Sequence, residues 1–137
     1  MNAELMFSSK TNEWATPQAL FDELNGEFGF TLDPCATTEN AKCQKFYTIK
    51  EDGLAQDWSG ETVFCNPPYG RTIHQWVKKA ATSKATTVML IPARTDTTYF
   101  HDHIYGKAEI RFIRGRVKFG NSKTGAPFPS MIVVFRN

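Results

Sequence analysis

Thr62-Val63-Phe64-Cys65-Asn66-Pro67-Pro68-Tyr69 decides how the rest of this 137-residue chain is to be read. Four β-prone residues are stopped by an asparagine and two prolines, which predicts a strand ending at Cys65 and a stiff loop starting at Asn66. Downstream, Gly70 to Thr72 leads into a helical pattern with Ile73, Trp76, Val77 and Ala80 on one face. Residues 86–91 then form a continuous apolar run, as expected of a strand buried on both sides. A strand, a helix and a buried strand in that order predict a parallel crossover in an α/β sheet.

Working upstream, Thr16-Pro17 predicts a helix start, with a capping hydroxyl followed by proline at the first helical position. Leu20, Phe21, Leu24 and Phe28 share its inner face, and Gly29 is placed to end it. Phe30-Thr31-Leu32 predicts a short strand running into Asp33-Pro34. Thr37 or Thr38 opens a short helix through Lys45, and residues 49–60 are polar loop. Toward the other end, Asp96 predicts a helix cap with Tyr99, Phe100 and Ile104 facing inward. Strands over residues 108–113 and 131–135 follow, joined by a turn-rich connection with Gly115, Gly120, Gly125, Pro127 and Pro129. The expected sheet is mostly parallel, with helices on both faces and an antiparallel C-terminal strand pair.

The length predicts one domain over residues 1–137, and 41% hydrophobic with 13% aromatic residues is enough to build a core. No run of about 18 apolar residues is present, so no membrane span is expected. Met1 to Lys10 lacks the apolar centre of a secretory signal. Cys35, Cys43 and Cys65 are odd in number and follow no disulfide framework, which suits a reducing cytoplasm. Their spacing matches no zinc motif, so no metal is expected from them or from His74, His101 and His103. Cys65 lies within the predicted strand and reads as packing rather than as a nucleophile. No phosphate-cradling loop or Gly-x-Ser-x-Gly motif supports a nucleotidase or hydrolase.

Charge is unevenly spread. Residues 1–83 carry 7 Lys and Arg against 11 Asp and Glu, and residues 84–137 carry 9 against 3. Those balances of −4 and +6 make up the +2 of the whole chain. Lys107, Arg111, Arg114, Arg116, Lys118 and Lys123 cluster with Glu109 alone opposing them. Such a cluster suits phosphate contacts, and equally a solvated hairpin face. Arg94-Thr95-Asp96-Thr97 follows the apolar strand and is a further candidate for contact with a nucleic-acid backbone.

Ligands of open α/β sheets sit at the carboxyl ends of the strands, where Asn66-Pro67-Pro68-Tyr69 is expected to project. These residue types suit methyl transfer to an exocyclic amine on an aromatic ring. The lone pair of such an amine is delocalised, and acceptors for its two hydrogens would draw it toward a nucleophilic geometry. The Asn66 side-chain oxygen is one acceptor and the Pro67 carbonyl the other, aimed by the paired prolines. Tyr69 offers an aromatic face for a base that has left its duplex. The motif alone leaves DNA adenine, RNA adenine, cytosine N4 and protein glutamine open as acceptors, and also a non-catalytic nucleic-acid-binding domain.

The chain resembles the phage and prophage DNA N6-adenine methyltransferase family, of Dam type. The resemblance is carried by Trp14-Ala15-Thr16-Pro17, by Phe28 through Ala36, by Asn40-Ala41-Lys42, by Asp52-Gly53-Leu54 and by Asp57-Trp58. It continues through Cys65 to Gly70, Trp76 to Ala80, Pro92 to Thr97 and Gly115 to Phe119. It implies a compact Rossmann-like S-adenosylmethionine-dependent fold in one domain with no separate target-recognition domain. Asn66, Pro67, Pro68 and Tyr69 would be catalytic. Trp14, Thr16, Pro17, Asp33, Pro34, Cys35, Ala36, Asp52, Asp57 and Trp58 would bind the cofactor. Within that set Asp33 would pair with the cofactor's ammonium group, and Asp57 or Asp52 would read its adenine. The family's glycine-rich loop is missing, since Asp33-Pro34-Cys35-Ala36 holds its place. Asp33 and Asn66 are also too close in sequence for two full strand–helix units, so a trimmed sheet is expected. Arg94, Arg114, Arg116, Lys118 and Lys123 would contact double-stranded DNA. The resemblance further implies a phage- or prophage-encoded protein in the cytoplasm of a bacterial host; the sequence leaves the oligomeric state open between monomer and weak dimer.

Overall fold

The computed structural model describes residues 14–137, so the expectation for Met1 to Lys10 lies outside the described residues. Helix α1 spans Gln18–Phe28 and closes on Gly29, whose φ of 71° is the left-handed conformation that glycine adopts without strain. It begins one residue after Pro17, and no side chain caps it. The predicted capping by Thr16 does not occur, because Pro17 takes the N-cap position and leaves Thr16 one residue too early.

Strand β1 covers Thr62–Cys65 and ends where Asn66 begins. Helix α2, Ile73–Thr82, buries Ile73, Trp76, Val77 and Ala80, the four positions its spacing singled out. Strand β2, Thr86–Pro92, is buried from Thr87 onward. Strands β3, Glu109–Phe112, and β4, Ser130–Arg136, complete a sheet ordered β1-β2-β4-β3.

β1 and β2 pair in parallel, whereas β4 is antiparallel to both β2 and β3. The sheet is therefore mixed and not mostly parallel. β4 inserts between β2 and β3 instead of adding at the edge, which converts two of the three strand pairings to antiparallel. Its seven-residue pairing with β2, from Thr86↔Arg136 to Pro92↔Ser130, is the longest in the sheet. β3 points the same way as β1 and β2, so the connection over residues 113–129 leaves the sheet on the rim that carries the loop after β1.

The region between α1 and β1 is trimmed as expected. Leu32 bridges Val63 in parallel, and Asp33 bridges Phe46 on its other side. No helix runs from Thr37 to Lys45. Thr37 and Asn40 close a single turn through reciprocal side-chain bonds of 2.7 and 3.2 Å, and the Asp33 carboxylate then takes the Lys42 N–H. The predicted polar loop over residues 49–60 includes one 3₁₀ turn, Gly53–Ala55. After β2 the predicted helix is one π turn, Phe100–Ile104, and Thr97 rather than Asp96 accepts the Phe100 N–H.

Opposed residues on neighbouring strands share a face. Phe64, Val88, Val134 and Glu109 are aligned in this way, and α1 covers that face. Phe21 meets Phe64 edge-on at 5.2 Å and Phe30 lies 5.3 Å from Phe64, while Glu27 forms two 2.7 Å bonds to Arg111. On the opposite face Val63, Cys65, Met89, Ile91, Met131 and Val133 are fully buried. Among the described residues no helix is long and apolar enough to cross a membrane. Because Phe64 joins β1 to both Phe21 and Phe30, Phe64→Ala is expected to cost about 3–5 kcal/mol in urea unfolding.

Candidate active site

Leu32–Asp33, β1 and β2 run in parallel, so their carboxyl ends lie on one rim. Three loops meet there: the 33–36 turn, Asn66 to Tyr69, and the segment after Pro92. The first two border a cavity of about 970 Å³ whose walls include Trp14, Thr16, Asp33, Pro34, Cys35, Ala36, Asp52, Asn66, Pro67 and Pro68. A second hollow of about 440 Å³ is lined by Trp14, Tyr69, Pro92, Arg94, Thr97, Tyr99, Pro127 and Phe128, among others. Trp14 faces both. Asn66 lines the large cavity and Tyr69 the small one, and the Tyr69 hydroxyl donates to Asn66 Oδ1 at 2.7 Å.

The Asn66 amide is held at both ends. Its Nδ2 donates to the Trp14 carbonyl and to Thr16 Oγ1, the latter at 3.0 Å. The carbonyl of Leu90 lies 3.0 Å from the Tyr69 hydroxyl as an alternative acceptor. One hydroxyl proton serves one acceptor at a time, so when it turns to Leu90, both lone pairs of Asn66 Oδ1 are free. Tyr69 is 7% exposed, and burial pushes its hydroxyl well above the ordinary tyrosine range, so it acts as a neutral donor. Its ring packs edge-on against Phe119 and Phe128 at 6.2 and 5.7 Å.

Asp33 is the buried charge of the large cavity. It is 4% exposed, and desolvation raises its carboxyl to about 6 against the pull of two backbone donors, Lys42 N at 3.0 Å and Cys35 N at 3.4 Å. A carboxylate kept at such a cost beside an open cavity is suited to a cationic ligand group. Gly53 seats the turn that carries it. A Cβ there would lie 2.0 Å from the Pro34 carbonyl oxygen and 3.1 Å from the Trp76 ring. Gly53 was not among the predicted site residues, although its place in Asp52-Gly53-Leu54 was the available signal.

Residues 5–137 match the family described as DNA N-6-adenine-methyltransferase (Dam). The chain belongs to this family. It is 31% identical over 133 residues to the DNA N-6-adenine-methyltransferase of Haemophilus phage HP1, an alignment covering 89% of this chain and 77% of the relative. It is 35% identical over 105 residues to the protein of the same name from Escherichia phage T1, covering 73% of this chain and 44% of that longer relative.

Of the catalytic and cofactor positions the family resemblance marked, most converge on the two hollows and three do not. Pro17 stands at the N-terminus of α1. Asp57 is exposed, and the Ser59 hydroxyl together with the Ser59 N–H at 2.9 Å holds its carboxylate below the usual range. Trp58 is 1% exposed, with its indole N–H on the Gly53 carbonyl at 3.0 Å, Trp76 stacked on it and the Lys79 ammonium over its ring. Asp52 does line the cavity, at φ 59°, and its carboxylate accepts the Leu54 N–H.

The basic cluster divides. Arg111 is committed to Glu27 and Glu109, and the Lys107 ammonium to the Asp102 carbonyl. Arg114, Arg116 and Lys118 are exposed, with Arg116 and Lys118 alternating with buried Val117 and Phe119, and Arg116 Nη1 donates to the Ala126 carbonyl at 3.2 Å; Lys123 is exposed beyond them. Arg94 is exposed on the small hollow. Among the described residues no group of three His, Cys, Asp or Glu is placed to hold a metal ion. Cys65 is fully buried and its thiol is pushed well above the ordinary value, and Cys43 is raised to about 11, so neither is disposed to act as a thiolate.

A carboxyl raised from 3.8 to about 6 makes the folded protein bind more protons than the unfolded chain between those values. Its stabilising contribution is therefore complete below about 4 and lost as pH rises through about 6. The stability of the wild type relative to Asp33→Asn should fall across that window and level off above about 7 in thermal unfolding. A rise over the same window would contradict the buried placement of Asp33.

Proposed function

We propose that the chain transfers a methyl group from S-adenosylmethionine to the exocyclic N6 of adenine in DNA, with the adenine turned out of its duplex. The observation that carries this reading is the junction of two hollows at the hydrogen-bonded pair Asn66 and Tyr69. One hollow has room for the donor and the other for a planar base. The residues present fit the donor, which is positively charged at its ammonium and sulfonium groups. Asp33 is a buried anion on the cavity wall, Trp14 an aromatic wall beside it, and Cys35 and Ala36 are small residues on the turn. When bound, the cofactor supplies an electrophilic methyl group.

The chain's own residues do the rest. Asn66 Oδ1 and the Pro67 carbonyl accept the two hydrogens of the target amine and turn its lone pair out of conjugation with the ring. Tyr69, Phe128 and Trp14 border the small hollow with aromatic surface, against which the base packs. Tyr99, 8% exposed, adds to that wall. Asn66 is half-buried and Tyr69 buried, which keeps the hydrogen bonds to the amine out of bulk water, where they count for more. Arg94, Arg114, Arg116, Lys118 and Lys123 are placed to take backbone phosphates on the same rim. One domain thus serves for cofactor, base and DNA backbone. Pro17, Asp57 and Trp58 line neither hollow, and Trp58 backs the large one through its bond to the Gly53 carbonyl.

Incubation with isotope-labelled S-adenosylmethionine and duplex DNA, followed by nucleoside analysis, is expected to yield N6-methyladenine. Asn66→Ala is expected to lower the rate by about 100-fold or more, the scale of removing one preorganised polar group from an active site. RNA, cytosine and protein acceptors in parallel reactions should remain unlabelled. No N6-methyladenine at saturating cofactor, or Asn66→Ala equal to the wild type, would sink the proposal.

A further inference from the structure

Thr16 stands before a proline at the mouth of α1, where a threonine hydroxyl ordinarily caps the helix. With Pro17 at the N-cap, Thr16 lies one residue earlier, and among the described residues no side chain caps α1. The hydroxyl instead accepts from Asn66 Nδ2 at 3.0 Å, from a position 6% exposed to solvent. The second Nδ2 hydrogen goes to the Trp14 carbonyl.

These two contacts decide which end of the Asn66 side chain faces the reacting amine. The two ends of an amide are nearly the same shape, but their chemistry is opposite. Turned over, Asn66 would present N–H donors to the hydrogens of the target amine and set its oxygen against the Trp14 carbonyl, acceptor against acceptor. In the observed orientation both Nδ2 hydrogens are satisfied within the protein, which leaves Oδ1 for the Tyr69 hydroxyl and the incoming amine. Donation from both hydrogens also polarises the amide and makes its oxygen a better acceptor.

The segment carrying these acceptors is itself anchored. The Ala15 carbonyl accepts the Gly120 N–H at 2.8 Å, and the Trp14 ring meets Phe119 and Phe128 edge-on at 5.5 and 5.3 Å. Residues 14–16 therefore form a strap between the basic connection and the loop after β1. We infer that Thr16 is a positioning residue for methyl transfer, holding the Asn66 amide with its oxygen toward the target amine. The inference rests on the reading that Asn66 Oδ1 accepts from that amine.

Thr16→Val replaces the hydroxyl by a methyl of similar size, and Thr16→Ser restores it. With duplex DNA and saturating cofactor, Thr16→Val is expected to lower kcat by roughly 10- to 100-fold, the cost of a misplaced catalytic group. Cofactor affinity in calorimetry should fall by less than kcat does, and Thr16→Ser should keep kcat near the wild type. Asn66→Asp retains acceptors but has no amide hydrogens, so adding Thr16→Val to it should cost much less than in the wild-type background. If Thr16→Val does not fold, Thr16→Ala takes its place in both comparisons. Unchanged kcat, a loss confined to cofactor affinity, or an equal loss in the Asn66→Asp background would overturn the inference. A wild type that makes no N6-methyladenine would instead overturn the reading on which it rests.

Discussion

The parallel alignment of Leu32–Asp33, β1 and β2 is the constraint on which the rest of the arrangement depends. Strands that run the same way deliver their carboxyl ends to one rim, and here those ends carry a buried carboxylate, an Asn-Pro-Pro-Tyr loop and the wall of a second hollow. Thr62 and Leu32 are tied by main-chain bonds, and Phe64 N–H reaches the Leu32 carbonyl at 3.0 Å. A short length of chain thus does the work of a full first strand. The mixed topology then brings the basic connection to the same rim, because β3 shares the direction of β1 and β2 while β4 returns between them.

The interior near the site is arranged at some cost to stability. Asp33 stays ionised at neutral pH in a place where burial opposes its charge, and Asn66 spends two hydrogen bonds on its own orientation. The Thr16 hydroxyl accepts one of them. Departures of this kind from the locally favourable choice are expected where function rather than folding sets the requirement. Gly53 is a related case, since its missing side chain lets the Asp33 turn lie directly on Trp76 and the 3₁₀ turn.

Much of this was legible in the sequence where local chemistry decides the outcome. The end of β1 at Cys65, the inner face of α2, the buried β2 and the Gly29 terminus of α1 follow from proline, glycine and apolar periodicity. Strand order was not legible, because the insertion of β4 between β2 and β3 is a long-range choice that leaves no mark on either strand's own residues. For the same reason Arg111 read as part of a phosphate-binding cluster, although its partner Glu27 lies 84 positions away in sequence. Thr37 and Thr38 read as a helix start because Thr37 does close a turn, but the Asp33 carboxylate diverts the chain at Lys42. At the site, Asn66 to Tyr69 could be found from the motif. The seat provided by Gly53 and the clamp provided by Thr16 exist only once distant segments have met.

Whether donor and base face one another across Asn66 is decided by a ternary structure of the protein with S-adenosylhomocysteine and duplex DNA carrying a target adenine. The amino-acid end of the cofactor product is expected at Asp33, and an extrahelical adenine against Tyr69. The adenine N6 is expected within hydrogen-bond distance of Asn66 Oδ1 and the Pro67 carbonyl. An adenine still stacked in its duplex, or a cofactor product outside the cavity walled by Asp33, would contradict that arrangement.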